Sequence, residues 1–292
     1  MKKKVLLIAS MALIATLSVK STVAYLQSQT ETIVNTMEMG NVSIKQLEYE
    51  RVVDENGNWV LAGDEEDQYG YYPEKLQEYT QNKALFPAVF TDGDIKWDDR
   101  NGSQAPNGET SHQQSWGQIG APGSNQLFDD SVKNVIDKFV FVENDGKNDA
   151  YVRTWIAYEQ GDILADDYLK TVQMNVNGNW WKTVLYENDV MIKDEDGNEH
   201  KYTVFCYEFK GSDSSHTGIL EPNTITRPSL LQVYMKPTAT NEDVKAIDAN
   251  GNGKFDILVL SQAVQTAGFS DAETALNAAF GEPIAENHPF NK

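Results

Sequence analysis

The sequence predicts a mainly β protein: an antiparallel two-sheet, jelly-roll-like sandwich with a long polar insertion and a short C-terminal helix. Three observations carry that expectation. About ten segments rich in Val, Ile, Tyr, Phe and Thr recur along the chain, separated by Asn-, Asp- and Gly-rich turns. That many short strands on one core favours two packed antiparallel sheets. With 40% hydrophobic and 10% aromatic residues over 292 positions, there is enough apolar surface for a large core and no sign of a disordered composition.

The elements follow in order. Val42 and Ile44, then Leu47, Tyr49 and Val53, alternate with polar residues, but the phase slips between Ile44 and Leu47. Such a slip in a period-two pattern predicts a bulge or a break there. Glu55-Asn56-Gly57-Asn58 supplies a turn, because Asn and Gly tolerate the positive φ of tight hairpins, and Trp59-Val60-Leu61 returns as a partner. The same device lies between 135–142 and 150–158, between 172–176 and 180–186, and between 190–193 and 202–209. Ile225, 230–235 and 255–264 complete the strands. Residues 63–126 are polar and rich in Gly, Asn, Gln, Asp and Ser, too long for an ordinary loop, and read as an insertion in which 74–81 has the pattern of a short helix. The segment 270–281 predicts a helix. Ser270 and Glu273 make an S-x-x-E capping box, Ala272, Ala275, Leu276, Ala279 and Phe280 form one face, and Gly281 ends it.

Residues 1–24 have the layout of a secretory signal peptide. Lys2, Lys3 and Lys4 precede a mostly apolar stretch of 5–19, and Thr22 and Ala24 stand at the −3 and −1 positions of a cut between Ala24 and Tyr25. An uncleaved anchor is the rival reading, but the apolar run is shorter than the ~20 residues a spanning helix needs. The expectation is a single domain of 25–292, exported, with only transient membrane contact. The whole chain has 24 Lys+Arg against 44 Asp+Glu, a formal charge of −20. Removal of 1–24 takes four lysines and no acids, leaving −24. Nucleic acid is therefore not an expected partner, since phosphate contacts need clustered Lys and Arg.

The candidate chemistry is sparse. His112, His200, His216 and His288 are too far apart in sequence for H-E-x-x-H, and Gly-x-Ser-x-Gly and Walker-type loops are missing. Cys206, the single cysteine, lies in a strand-like apolar run and reads as a packed core thiol. No catalytic residue and no cofactor is expected. One loop stands out as a calcium candidate: Asp248, Asn250, Asn252 and Asp256, with Gly253 between, copy loop positions 1, 3, 5, 9 and 6 of a calcium-binding EF-hand. Position 12 is Val259 rather than a carboxylate, so the same residues also read as an Asn/Gly turn leading into a strand. Trp155, Trp180, Trp181 and the tyrosines near 69–72 could form a sugar-binding platform or serve the core, and in a strand Trp180 and Trp181 must face opposite sides.

Several stretches resemble one family. The signal runs into Ala24-Tyr25-Leu26-Gln27-Ser28-Gln29-Thr30-Glu31-Thr32, then Asn35-Thr36-Met37 and Gly40-Asn41-Val42-Ser43-Ile44. With the run from Val140 through Asn144-Asp145-Gly146 to Ala150-Tyr151-Val152-Arg153, and with Gln262-Ala263-Val264-Gln265 before Gly268-Phe269, it is similar to the TasA-like (camelysin-type) secreted proteins of Gram-positive bacteria. The resemblance does not extend over 63–126. It implies export with a SipW-type signal peptidase as a processing partner, a jelly-roll-like domain, and assembly with other copies into extracellular matrix fibres. In such fibres the new N-terminal segment is a donor strand, a form of β-augmentation. Here Ile33, Val34 and Met37 would place apolar groups in a neighbour, while the same segment could instead pair within its own subunit. Some members have been called metallopeptidases; the histidines here do not carry that activity over. The alternatives to a matrix role are a monomeric carbohydrate- or surface-binding module and a hydrolase on the same sandwich.

Overall fold

Alternation of apolar and polar residues sets most of the strands, and turn residues set their ends. A computed structural model describes residues 27–29, 37–39, 42–56, 58, 60, 75–89, 133–159, 171–178, 180–194, 196–211, 215–235, 239–248 and 251–291. The strands are β1 (Gln27–Gln29), β2 (Met37–Met39), β3 (Val42–Arg51), β4 (Leu76–Glu78), β5 (Val135–Asp137), β6 (Phe139–Asn144) and β7 (Ala150–Glu159). They continue as β8 (Val172–Val176), β9 (Trp181–Lys193), β10 (Glu199–Phe209), β11 (Ile219–Leu220), β12 (Thr224–Ile225), β13 (Leu230–Met235) and β14 (Ile257–Gln265). Two α-helices, α1 (Asn241–Ile247) and α2 (Ala272–Phe280), flank β14 in sequence.

All pairings between these strands are antiparallel. One layer has the order β1-β14-β7-β10-β9, with β11 added to β7. The other joins β12-β6-β3-β2, with β4 also on β3, to the three-stranded β5-β13-β8. Backbone bonds from Lys138 to Leu231 and from Ser229 to Val140 stitch these two parts together. The fold is therefore an antiparallel β sandwich, as the sequence predicts. Its main core lies between the layers, where Val42, Ile44, Val140, Val142, Met174 and Val233 meet Val152, Ile156, Tyr207, Phe209, Val259 and Ala263. Burying each such side chain stabilises by about 1.5–3 kcal/mol. The C-terminal chain covers the outer face of the first layer: Ala275 and Leu276 pack on Tyr151 and Val264, and Ala285 and Phe290 on the cluster around Trp155.

Several expectations are corrected. The phase slip after Ile44 is no bulge, because β3 pairs residue by residue with β6 from Ile44↔Asn144 to Tyr49↔Phe139. Its inner side turns polar at Gln46, while Leu47 and Tyr49 pack on the opposite face with Phe139, Phe141 and Leu231. Both faces are covered, so the apolar pattern changes sides without a register change. The helix expected over 74–81 is β4, since the β3 edge takes an extended partner there and Leu76 joins the outer cluster. Asp271, not Ser270, caps α2: its carboxylate accepts from Thr274 N at 2.8 Å, and Ser270 Oγ donates to it at 2.6 Å. An ionised oxygen suits the positive end of a helix better than a hydroxyl. Helix α1 went unread, although Thr240 and Asp243 exchange both bonds of a capping box. Of the four Asn/Asp-Gly turns, that at 194–198 closes the β9–β10 hairpin and that at 54–58 brings Val60 N back to Val52 O. The other two are arches. β6 and β7, and likewise β8 and β9, lie in different layers.

Candidate functional site

The N-terminal segment touches the edges of both layers. β1 pairs with β14 through Gln27↔Val264, Ser28↔Ala263 and Gln29↔Gln262. β2 pairs with β3 through Met37↔Ile44, Glu38↔Ser43 and Met39↔Val42. Of the donor-strand candidates, Met37 thus lies in β2 on its own chain, while Ile33 and Val34, like Ala24 and Tyr25, fall outside the described residues. β1 pairs with only three residues of β14, 262–264. Among the described residues no strand lies along 257–260 on the side opposite β7, although Gln46 Nε2 donates to the Val259 carbonyl at 3.4 Å. β14 reads ILVLSQAVQ, without a charge, and pairs with β7 over all nine residues. A straight, uncharged strand edge is a template for another strand.

A hydrogen-bonded polar row braces this edge from behind. Gln262 Oε1 accepts from Arg153 Nε at 2.7 Å and from Trp155 Nε1 at 3.1 Å. Arg153, 2% exposed, also donates through Nη1 to the Gly281 carbonyl at 3.0 Å and stacks on Trp155 and Phe280. Burial lowers its pKa. On the interlayer side, Ser261 Oγ meets Thr154 Oγ1 at 3.0 Å and donates to Gln46 Oε1 at 3.2 Å. β14 is thereby tied to β7, β3 and α2 by side chains as well as by its ladder.

Further along β3 the polar inner side holds the piece of the insertion at 75–89. Glu48 pairs with Lys138 at 2.6 Å, and the Lys138 ammonium sits 4.1 Å from the centre of the Tyr79 ring. Glu50, almost fully buried, takes Lys83 at 2.6 Å, Gln77 Nε2 at 3.0 Å and Thr80 Oγ1 at 3.1 Å. Burial, then the charges of Glu48 and Glu50, pushes the Tyr79 phenol up to about 12. Glu48 and Glu50 stand two residues apart on one side of a strand, the kind of carboxylate pair that acid–base chemistry uses, but each is spent on an ammonium that fixes the insertion. The stripe was readable as Gln46, Glu48 and Glu50 continuing the inward phase of Val42 and Ile44.

The remaining candidates separate. Trp155 and Trp181 are core residues, and Trp180, between Arg227 and His216, is partly exposed. Cys206 is buried, and burial pushes its thiol up, so it stays protonated. In the Asp248 loop, Asp248 accepts from Asn252 N at 3.0 Å and Gly253 N at 2.9 Å, and Asn252 Oδ1 accepts from Lys254 N at 2.7 Å. Asn250 lies outside the described residues. These bonds are those of a turn, and among the described residues no group of three or more His, Cys, Asp or Glu is placed to hold a metal. The exposed aromatic that the sequence did not flag is Tyr186, half exposed and stacked on Phe205 with ring centres 4.8 Å apart. Among the described residues no helix is long and apolar enough to cross a membrane. Comparison of the chain with protein-family models, with curated proteins and with solved structures gives no match.

Proposed function

We propose that this chain is an exported structural protein of the extracellular matrix, of the TasA-like kind, that forms fibres when its N-terminal segment adds to the β14 edge of another copy. The observation that carries the reading is the incomplete cover of β14 among the described residues: three residues of β1 lie on a nine-residue, uncharged, unbroken strand. A donor from a neighbour can take the same three positions and run on along 257–260. Exchange then costs the subunit little, because the bonds lost in cis are remade in trans. Export supports the scheme, since an uncut signal encumbers the donor end until processing. At −24 per processed chain, copies repel at long range, and salt shortens that repulsion to about 8 Å at physiological ionic strength.

Purified protein beginning at Tyr25 is compared with protein beginning at Gly40, by light scattering and electron microscopy across salt and calcium. Only the first is expected to grow filaments, faster as ionic strength rises. Two monomeric preparations would end the fibre reading. The second reading, a glycan- or surface-binding module, is favoured by the Tyr186–Phe205 stack. Binding of the Tyr25 protein to a glycan array, lost in Tyr186→Ala, would establish it.

A further inference from the structure

The β9–β10 hairpin carries unlike chemistry at its two ends. At its open end, Trp180 precedes β9 and Lys210 follows β10, and Lys210 N donates to the Trp180 carbonyl at 2.8 Å. Among the described residues, Lys210 Nζ donates to one carbonyl, that of Gly178, at 2.9 Å, and makes no ion pair. The loop after it folds back, with Gly218 N donating to the Lys210 carbonyl at 2.8 Å, and sets His216 in the left-handed region at φ 49°. That places the exposed imidazole 5.6 Å from the Trp180 ring. Arg227, whose carbonyl accepts from Trp181 Nε1 at 2.9 Å, lays its guanidinium 5.1 Å from the same ring. Trp180 Nε1 is buried, and among the described residues it has no hydrogen-bond acceptor. An imidazole and a guanidinium thus flank one indole ring, and the Lys210 ammonium is bonded to the turn that carries it, so this end of the hairpin is rich in cationic donors. A carboxylate is the complementary ligand.

The closed end is acidic. Asp194 Oδ1 accepts from Asp196 N and Asn198 N at 2.9 and 2.8 Å, and its other oxygen lies 2.9 Å from His200 Nε2, which fixes the turn. Asp196 is exposed at the apex, with Glu195 beside it in sequence. The thirteen residues of β9 separate the two ends by about 43 Å at roughly 3.3 Å per residue. A tip can therefore meet a donor cluster only on another molecule, and the contact is head-to-tail, the kind that propagates.

We propose that the Asp196 tip of one copy docks on the Lys210–His216–Arg227 cluster around Trp180 of the next. This rests on the fibre reading and names a second contact within it, one made by side chains rather than by the donor strand. The long-range repulsion between acidic chains is screened by salt, while charges brought into contact at the cluster lie closer than the screening distance.

The test uses the mature chain from Tyr25 and the variants D196K and K210E, with H216E as a second cluster variant that leaves the Lys210–Gly178 bond in place. Filament growth and sedimentation are followed for each alone and for the two mixed. Each single variant is expected to slow association roughly tenfold, because like charges then meet at the contact. The D196K and K210E mixture is expected to recover it, since every tip then faces a cluster of opposite sign, and so is the double variant D196K/K210E. Wild-type growth that both single variants leave unchanged, or a mixture no better than its components, would overturn the docking and leave the donor strand standing. A wild-type chain that stays monomeric while the mixture associates would also overturn the docking, because the mixture only restores the wild-type pairing of charges. Monomers throughout would remove both.

Discussion

The two edges of the larger layer are built in opposite ways. β14, at one edge, is nine residues without a charge, in unbroken register with β7. β9, at the other, is thirteen residues carrying Lys182, Glu187, Asp189 and Lys193. Its pairing with β10 slips twice, between Tyr202 and Val204 and between Cys206 and Tyr207. Asp189, inside the first slip, takes the left-handed conformation at φ 56°. Charges and bulges keep a strand edge from recruiting another strand. β9 can therefore end the sheet uncovered, while β14 needs a partner, and the N-terminal segment is the partner at hand. On the proposed reading, the difference puts assembly at one edge and protection at the other.

Substitutions sharpen that contrast in order of size. Trp155, fully buried between the two edges and bonded to Gln262, belongs to the layer as a whole, so Trp155→Ala should cost about 3–5 kcal/mol in urea unfolding. A loss below about 1 kcal/mol would mean that the layer is not one cooperative unit. At the β14 edge, Ser28→Pro with Gln29→Pro removes a ladder N–H of β1, whichever of the two faces β14. The monomer should lose only about 1 kcal/mol, and filaments should not form. At the β9 edge, Asp189→Gly relieves the left-handed backbone and should stabilise by up to about 1 kcal/mol without changing assembly. Loss of filaments in this variant would place the working edge at β9.

The least effect belongs to the tip of the β9–β10 hairpin. The His200 contact and the bonds from Asn198 and Asp196 hold the Asp194 carboxyl at about 2. A lowered value means that the turn is supported at and above the ordinary Asp range of about 3.9 and loses that support as pH falls through about 2. Carbon-detected titration should give Asp194 a midpoint near the lower value, with the amides of Asp196 and Asn198 following it. An ordinary midpoint would show that the turn is not held this way.

Much of the sandwich is legible in the residues, because period-two alternation and Asn-Gly turns act locally. The C-terminal helix is legible for the same reason, apart from the one-residue shift from Ser270 to Asp271. What sequence does not reveal is which turns close hairpins and which cross between layers. Asn144-Asp145-Gly146 and Asp194-Glu195-Asp196-Gly197 look alike, yet Asn144 Nδ2 bonds the distant Leu220 carbonyl at 2.9 Å, and that long-range partner belongs to an arch. The polar row behind β14 is equally hidden. Arg153, Gln262 and Ser261 look like surface residues of strands until α2 and β3 cover them. The assignment of the N-terminal segment to an edge depended on knowing which strand ends the sheet, a property of topology rather than of any one segment.

The most direct test of the edge account is to record where β1 sits in an assembled sample. Ser28 and Ala263 are opposed across the β1–β14 pair, so Ser28→Cys with Ala263→Cys places two thiols at a cross-strand position suited to a disulfide. Cys206 is buried and does not compete. Oxidation before assembly should lock β1 on its own subunit and prevent filaments. Oxidation of filaments grown under reducing conditions should produce a ladder of covalently linked subunits on a denaturing gel. Filaments that form from the locked monomer, or that yield only intrachain disulfides after growth, would contradict exchange of the N-terminal strand at the β14 edge.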